Sequence, residues 1–413
     1  MTKPLQTIDA SDDVVDPLGP LTAFEPLASD FFGYENLLTE PEKAALVALR
    51  AYLEAEVRPI ANGCWDRAEF PMQVVKPLAA LGAYSFGWEE TRPFANSAVF
   101  RGFVALEMAR VDASVATFVG VQNGLAAGTI SACGSAEQRA EWLPRLASGE
   151  IIGAFGLTEP LSGSDAAQGL RTTATRDGDS WTLNGAKRWI GNATFSDITI
   201  IWAKDTADNQ VKGFLVPRGT PGFTTTKIEG KISLRAVQNA DIVLENVVVP
   251  ERMRLANANS FKDTARVLRL TRAEVSWAAV GNAIGAYDAA VAYAKSRVQF
   301  GKAIGGHQLV QDLLVKSLGN ITASLGMVVR VSQLLDEGSQ RDEHSALAKA
   351  YTTSRMRETV AWCRELFGGN GVTLEYNVAR HFADAEAIYS YEGTQEMNTL
   401  IVGRTITGQA AFV

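Results

Sequence analysis

Cysteine and histidine are scarce in this 413-residue chain, at three residues each. Cys64, Cys133 and Cys363 stand far apart and form no C-x-x-C pair. That argues against a disulfide framework or a zinc site and is the pattern of small residues in the helical cores of a reduced protein. His307, His344 and His381 are equally scattered, without an H-E-x-x-H run, so neither a histidine metal centre nor a histidine-based triad is expected. Basic charge is not in excess either. Lys and Arg number 39 against 46 Asp and Glu, a net charge of -7, which offers no broad surface to nucleic acid or an anionic membrane. An anionic ligand would have to find a few local cations. A run of 18 apolar residues, a basic segment leading into an apolar core at the N-terminus, and a terminal Ser-Lys-Leu are all missing. No membrane span is expected, and the cytoplasm is the default compartment.

What is present can bury large cores: 46% of residues are hydrophobic and 21% charged, which suits two or three packing units. Residues 1–30 carry Asp9, Asp12, Asp13, Asp16 and several prolines and read as an extended or mobile acidic arm. Residues 31–149 read as a helical domain. Thr39-Glu40-Pro41-Glu42 opens a helix that continues through Leu46, Leu49, Leu53 and Val57, and similar runs cover 72–81, 98–108, 115–132 and 136–146, the last capped by Ser135. Residues 150–256 alternate in strand fashion, and Asp177-Gly178-Asp179 and Asn184-Gly185 read as hairpin turns. With no helical pattern between these strands, an antiparallel barrel or sandwich is expected. Residues 257–413 return to helices, over 261–299, 307–337, 343–367, 378–388 and 395–407. The fold class is α+β, mainly α.

Chemistry-bearing residues gather where these segments meet. Phe155-Gly156-Leu157-Thr158-Glu159-Pro160-Leu161-Ser162-Gly163-Ser164-Asp165 runs from a strand into a loop that offers hydroxyls and main-chain N–H groups to a polar cofactor. An ordinary Ser/Gly turn has the same composition, and the loop is not the G-x-G-x-x-G of a Rossmann fold. Asn184-Gly185-Ala186-Lys187-Arg188-Trp189-Ile190-Gly191-Asn192 ends a strand on a tryptophan, suited to a planar ring or to the core. Arg297-Val298-Gln299-Phe300-Gly301-Lys302, with Gln308, reads as a helix C-terminus closed by Gly301, whose arginine fork also suits pyrophosphate. Three glycines within Gly368-Gly369-Asn370-Gly371 exceed what helix termination needs and point to backbone lying close to a ligand or a neighbouring chain. Finally, Tyr389-Ser390-Tyr391-Glu392-Gly393-Thr394 sets a carboxylate between tyrosines and a glycine, just before a threonine placed to cap a helix. Glu392 is a candidate general base.

Taken together, these residues resemble the acyl-CoA dehydrogenase family. Leu157-Thr158-Glu159-Pro160 with Ser162-Gly163-Ser164-Asp165 is similar to the family's flavin-binding loop. Tyr391-Glu392-Gly393-Thr394, with Gly403-Arg404 and Ile406-Thr407-Gly408, resembles the branch of glutaryl-CoA dehydrogenases and plant short-chain acyl-CoA oxidases. Arg188-Trp189-Ile190-Gly191-Asn192 and Val237-Gln238-Asn239 look most like its oxidase side. The resemblance spans residues 31–412. It implies an FAD flavoprotein, commonly a homotetramer, built of an N-terminal helical, a middle β- and a C-terminal four-helix bundle domain.

The same resemblance implies roles. Glu392 matches the catalytic base. Phe155, Leu157, Thr158, Gly163, Ser164, Trp189, Ile190, Gly191 and Thr394 match positions around FAD. Arg297, Phe300, Gln308 and Gly369 match positions that reach FAD from a neighbouring subunit, with Gly368 beside them as a cofactor contact. Ser164, Arg272, Tyr391 and Gly393 match substrate contacts, and no metal is implied. The implied chemistry removes the α-proton of an acyl-CoA with a desolvated carboxylate and passes the β-hydrogen as hydride to flavin N5, giving a trans-2-enoyl-CoA. Hydrogen bonds from the base's own N–H and a flavin ribityl hydroxyl stabilise the enolate.

Two departures from the family pattern stand out. Most dehydrogenases have Thr or Ser where this chain has Gly191, so a hydroxyl to flavin N5 is missing and room for oxygen is expected, unless backbone N–H or water takes over. Glutaryl-CoA dehydrogenases carry Arg and Ser, to hold a distal carboxylate, where this chain has Ala116 and Gly120. A buried carboxylate without a cation is unfavourable, so the expected substrate is an uncharged acyl chain of short or medium length. Three functions follow: a dehydrogenase feeding an electron-transfer flavoprotein, an oxidase that reduces O2 to H2O2, and a non-catalytic flavin or acyl-CoA binding relative.

Overall fold

The computed structural model describes residues 24–411, so most of the acidic arm expected over residues 1–30 lies outside the described residues. Residues 24–30 are tied to the body. Arg50 Nη1 donates to the Glu25 carbonyl at 2.7 Å, and the Leu27 N–H donates to Glu35 Oε1 at 3.1 Å.

The N-terminal part comprises α1 (Glu40–Tyr52), α2 (Arg58–Arg67), α3 (Val75–Ala80), α4 (Ala98–Val111), α5 (Ala113–Val119), α6 (Gly128–Cys133) and α7 (Ala136–Ala147). Capping boxes at Thr39/Glu42 and Ser135/Gln138 start α1 and α7 by satisfying their free N–H groups. The single helix expected over 115–132 is instead α5, a π-helical segment Gly120–Ala127 and α6. The wider turn coincides with Gly120 and Gly124, poor α-formers, and such π segments recur at functional sites.

The middle part comprises β1 (Gly153–Gly156), the short α8 (Ala166–Gly169), β2 (Thr173–Asp177), β3 (Ser180–Gly191), β4 (Ile198–Asp205), β5 (Val211–Pro217), β6 (Phe223–Lys227) and β7 (Asn239–Pro250). They form one seven-stranded sheet in the order β1-β4-β2-β3-β7-β6, with β5 paired to β4. Hairpin neighbours are antiparallel, whereas β1 and β2 each run parallel to β4. These are long-range pairings that local turn signals do not encode. Asp177-Gly178-Asp179 joins β2 to β3. Asn184-Gly185, expected as a second turn, lies inside β3 at a register shift. A Cβ on Gly185 would stand 2.5 Å from Thr172 Oγ1, so this glycine serves a close approach rather than a turn.

The C-terminal part begins with the long α9 (Phe261–Ser296), followed by a small hairpin of β8 (Val298–Gln299) and β9 (Lys302–Ala303). Then come α10 (Gln308–Asp336), α11 (Asp342–Leu366), α12 (Asn377–Ser390) and α13 (Gln395–Thr407). Gly301 does not close the long helix as expected. It forms the β8–β9 turn with Phe300, at φ of 78° and 52°, as a two-residue hairpin of this hand requires. By length and composition α10 is apolar enough to cross a membrane; here it packs against α4, α9 and α11.

Two cores result. One unites the N- and C-terminal helices, and the other fills the β-domain against α6 and α7. Cys64, Cys133 and Cys363 are buried and unbridged. α12 ties the parts together. The buried Arg380 donates to Asp112 Oδ2 at 2.9 Å and to the Val111 carbonyl at 2.8 Å. Asp384 Oδ1 accepts both the Trp65 indole N–H at 2.7 Å and the Leu234 N–H at 2.6 Å. The segment after α12 is therefore fixed by the N-terminal helices and the β-domain together.

α4 and α9 approach closely enough that a Cβ on Gly281 would stand 2.2 Å from the Leu106 carbonyl oxygen. Alanine is intrinsically better than glycine in a helix by about 1 kcal/mol, but a backbone carbonyl inside a helix cannot yield as a side chain does. Gly281→Ala is expected to lower stability by about 2 kcal/mol net, read as a lower urea midpoint at unchanged slope; a raised midpoint would contradict this packing.

Candidate active site

A cavity of about 910 Å³ opens where α9, β3, the β1–α8 loop and the α12–α13 loop meet. Glu392 lines it from the α12–α13 loop and is partly buried. Its backbone is left-handed, φ 55°, followed by Gly393 at φ 85°. A non-glycine residue keeps such a conformation only where its surroundings impose it. The buried Lys349 of α11 does so by donating to the carbonyls of Tyr389 at 2.7 Å and Gly393 at 2.6 Å, on either side of Glu392. Asn398 Nδ2 adds bonds to the carbonyls of Gly393 at 2.9 Å and Thr394 at 3.0 Å. The Thr394 hydroxyl caps α13 by accepting from the Met397 N–H.

The Glu392 carboxyl is restrained from α9, where Thr271 Oγ1 donates to its Oε2 at 2.7 Å. Burial raises its pKa above the usual carboxylate range. The Thr271 bond, then Arg272 and Lys349, oppose that rise by favouring the ionised form. Burial also lowers Lys349 to about 8, with the nearby Glu392 resisting. The result is a carboxylate that is more basic than one in water and held in one orientation.

Across the cavity, the β1–α8 loop is pinned by a second buried pair. Lys187 Nζ donates to Glu159 Oε1 at 2.8 Å and to the Leu157 carbonyl at 3.1 Å. Glu159 also accepts the N–H groups of Arg171 at 2.7 Å and Thr172 at 2.9 Å. Within the loop Glu159 and Ser162 exchange main-chain hydrogen bonds at 2.9 and 3.2 Å, and Gly163 stands in open space, where a Cβ would meet nothing within 4 Å.

Most residues singled out from the sequence converge here. Phe155, Leu157, Thr158, Gly163 and Ser164 line one wall, with Trp189, Ile190 and Gly191 of β3 beside them. Arg272, Tyr391, Glu392, Gly393 and Thr394 line the other. Arg297, Phe300, Gln308, Gly368 and Gly369 do not join this cavity. They are exposed, Phe300 to 95%. The two exposed groups share one end of the helical bundle through Tyr293, which stacks on Phe367 at 4.1 Å, accepts from Asn370 Nδ2 at 3.0 Å and has its carbonyl bonded by the Arg297 N–H. The room expected beside Gly191 is narrowed, because a Cβ there would meet Val121 Cγ2 at 3.2 Å.

Sequence reasoning missed Thr271, Lys349, the Lys187 partnership and Glu274, which also lines the cavity. Lys349 carried a weak signal as a lone cation among Ala346, Ala348 and Ala350. Thr271 and Glu274 look like any polar residues on a long helix.

The chain matches three domain descriptions in order: the acyl-CoA dehydrogenase N-terminal domain over residues 39–150, the middle domain over 154–247 and the C-terminal domain over 261–407. It belongs to the acyl-CoA dehydrogenase family. Its relatives are oxidoreductases and include the mitochondrial short-chain specific acyl-CoA dehydrogenase of Mus musculus, 32% identical over 370 residues, 88% of this chain and 90% of that protein. Glutaryl-CoA dehydrogenase from Mycobacterium smegmatis, solved in complex with FADH2, superposes with a TM-score of 0.89 at 35% identity, covering 93% of this chain and 98% of the other. Butyryl-CoA dehydrogenase from Megasphaera elsdenii gives 0.85 at 30% identity, covering 89% and 98%.

The residues present fit a flavin. The cavity is at the large end of ligand pockets, roughly 300–1,000 Å³, so a ring system can sit beside an acyl chain. Trp189, held at φ 65° and half exposed, presents a flat face at its edge, with the Arg188 guanidinium 5.1 Å from its ring.

Because the Thr271 hydroxyl favours the ionised form of Glu392, its removal raises the carboxyl pKa further. A carboxylate can take up a proton only when ionised, so, if Glu392 is the base, Thr271→Val is expected to move the acid limb of acyl-CoA-driven flavin reduction to higher pH. The rate near pH 6 should drop on the order of tenfold, with recovery at alkaline pH. Stopped-flow bleaching across pH checks this, and an unmoved limb would remove Thr271 from the site.

Proposed function

We propose that this protein binds FAD and dehydrogenates a short- to medium-chain acyl-CoA without a distal carboxylate to the trans-2-enoyl-CoA, with Glu392 as the base. The observation that carries this reading is the Glu392 carboxyl itself, desolvated, bonded by Thr271 and held in left-handed backbone inside the cavity that also gathers the β3 and β1–α8 walls. A thioester α-C–H is weakly acidic. A carboxylate kept from water and fixed in orientation is suited to remove such a proton, which is transferred to a Glu392 oxygen.

Phe155, Leu157, Thr158, Gly163, Ile190, Gly191 and Thr394 would hold the cofactor, with Trp189 beside its ring. When bound, FAD supplies the hydride acceptor that no side chain provides. The Glu392 N–H, fixed by the Lys349 clamp, is available to the thioester oxygen as charge develops there. Arg272, Ser164, Tyr391 and Gly393 line the space the thioester would enter. The exposed Arg297, Phe300, Gln308, Gly368 and Gly369 suit contact with FAD in a neighbouring subunit of a homotetramer. Ala116 and Gly120 put no cation at the two cavity positions where glutaryl-CoA dehydrogenases hold a distal carboxylate, which argues against glutaryl-CoA and decarboxylation. A cytoplasmic role in fatty acid β-oxidation, with electrons passed to an electron-transfer flavoprotein, completes the reading. Gly191 favours a second one, an oxidase that reduces O2 to H2O2, although Val121 fills much of the space beside it.

Glu392→Gln is expected to bind FAD with an unaltered spectrum and to lose bleaching by butyryl-CoA by about three orders of magnitude; a normal rate would end the assignment. In air, the wild type should reduce an electron-transfer flavoprotein or a dye with little peroxide. Stoichiometric peroxide would make it an oxidase.

A further inference from the structure

A second carboxyl group faces the cavity. Glu274 lies three residues after Thr271 on α9, so both side chains leave one face of the helix. Among the described residues the Glu274 carboxyl has no hydrogen-bond or ion-pair partner. Its oxygens point at the π-helical segment: a Cβ on Gly124 would stand 2.7 Å from Oε2 and one on Gly120 3.9 Å from Oε1. These two glycines, four residues apart, open the recess that the carboxyl occupies, and a side chain at 124 would collide with it.

Met108, Ala116, Val121, Leu125, Val275 and Ala278 make part of the cavity wall apolar, with the polar Thr117, Thr271 and Tyr391 in the same lining. Arg101, the cation that acts on Glu274, is committed elsewhere. It donates to Asn96 Oδ1 at 2.8 Å and the Asn96 carbonyl at 3.2 Å, and stands 4.0 Å from Asp336. Burial raises Glu274 to about 7, Glu392 adds to the rise and Arg101 opposes it. An unpartnered carboxyl beside apolar side chains is unfavourable unless a ligand brings a donor to it.

We propose that Glu274 recognises the distal part of the acyl group, so that this enzyme prefers acyl-CoA thioesters carrying a hydrogen-bond donor there, an amine held as ammonium or a hydroxyl. A plain alkyl chain leaves Glu274 unpaired, and a carboxylate-ended chain sets two like charges together. The exclusion of a distal carboxylate, which rested on the missing cation, is kept; the expectation of an uncharged chain holds for a hydroxyl and is replaced by a cationic end for an amine. The inference rests on the reading of the cavity as an acyl-CoA site.

Thioether analogues that can neither react nor cyclise separate the two readings. S-(4-aminobutyl)-CoA, S-(4-hydroxybutyl)-CoA and S-pentyl-CoA are titrated by calorimetry into FAD-loaded wild type, Glu274→Gln and Glu274→Val, with flavin spectra confirming each fold. The wild type is expected to bind an amino or hydroxyl analogue about tenfold more tightly than the pentyl one, and Glu274→Val to reverse that order. Retained discrimination by Glu274→Gln with the hydroxyl but not the amino analogue would identify a charge-assisted bond with the latter. A pentyl preference in the wild type, or the same ranking in all three proteins, overturns the proposal. Anaerobic bleaching by butyryl-CoA tests Glu392 separately: its absence beside an intact donor preference would count against the base and still support Glu274.

Discussion

Keeping one carboxylate out of water without neutralising it is the constraint on which this structure turns. Desolvation makes Glu392 a stronger base and at the same time opposes its ionisation. The protein balances the two with a single hydroxyl at 2.7 Å, from Thr271, and with two cations that do not form an ion pair with it. A direct salt bridge would hold the carboxylate ionised but lower its basicity. Lys349 is therefore spent on backbone carbonyls, where it shapes the loop and contributes only its field.

That balance needs a rigid frame, and each part of the chain contributes to it. Arg380 and Asp384 anchor α12 to Asp112 and Trp65 of the N-terminal helices and to Leu234 of the β-domain. The opposite wall is stiffened by Lys187 and Glu159, whose buried ion pair is completed by two main-chain N–H donors. A buried pair is stable only when its remaining polar atoms are satisfied, and here their satisfaction is what shapes the β1–α8 loop. The cavity is thus bounded by two fixed polar clamps, while the π-helical segment between them supplies a wall whose glycines leave room for a further polar group.

Much of this was legible along the chain. The helix starts at Thr39 and Ser135 follow from local capping chemistry, which needs no distant partner. The three-part order follows from a change of hydrophobic period near residue 150 and again near 257. Glu392, the Leu157–Asp165 loop and Trp189 stood out because their patterns are local. Errors arose where one local signal has two tertiary outcomes. Asn184-Gly185 is a turn in isolation and a bulge beside Thr172; Gly301 is a helix stop in isolation and a hairpin turn after β8. The parallel pairing of β1 and β2 with β4 was invisible for the same reason.

The sequence by itself determined the helical and strand content and the domain order, because periodicity and caps act over a few residues, and its resemblance-bearing motif around Tyr391-Glu392-Gly393-Thr394 marked Glu392 as the candidate base. Tertiary structure alone decided which groups tune that base. Thr271, Lys349 and Glu392 are separated by scores of residues, and their interaction depends on distances of a few ångströms that no spacing in the chain encodes. The same holds for Glu274. Only the packing of α9 against a π-helical glycine pair shows that an unremarkable glutamate faces the cavity without a partner.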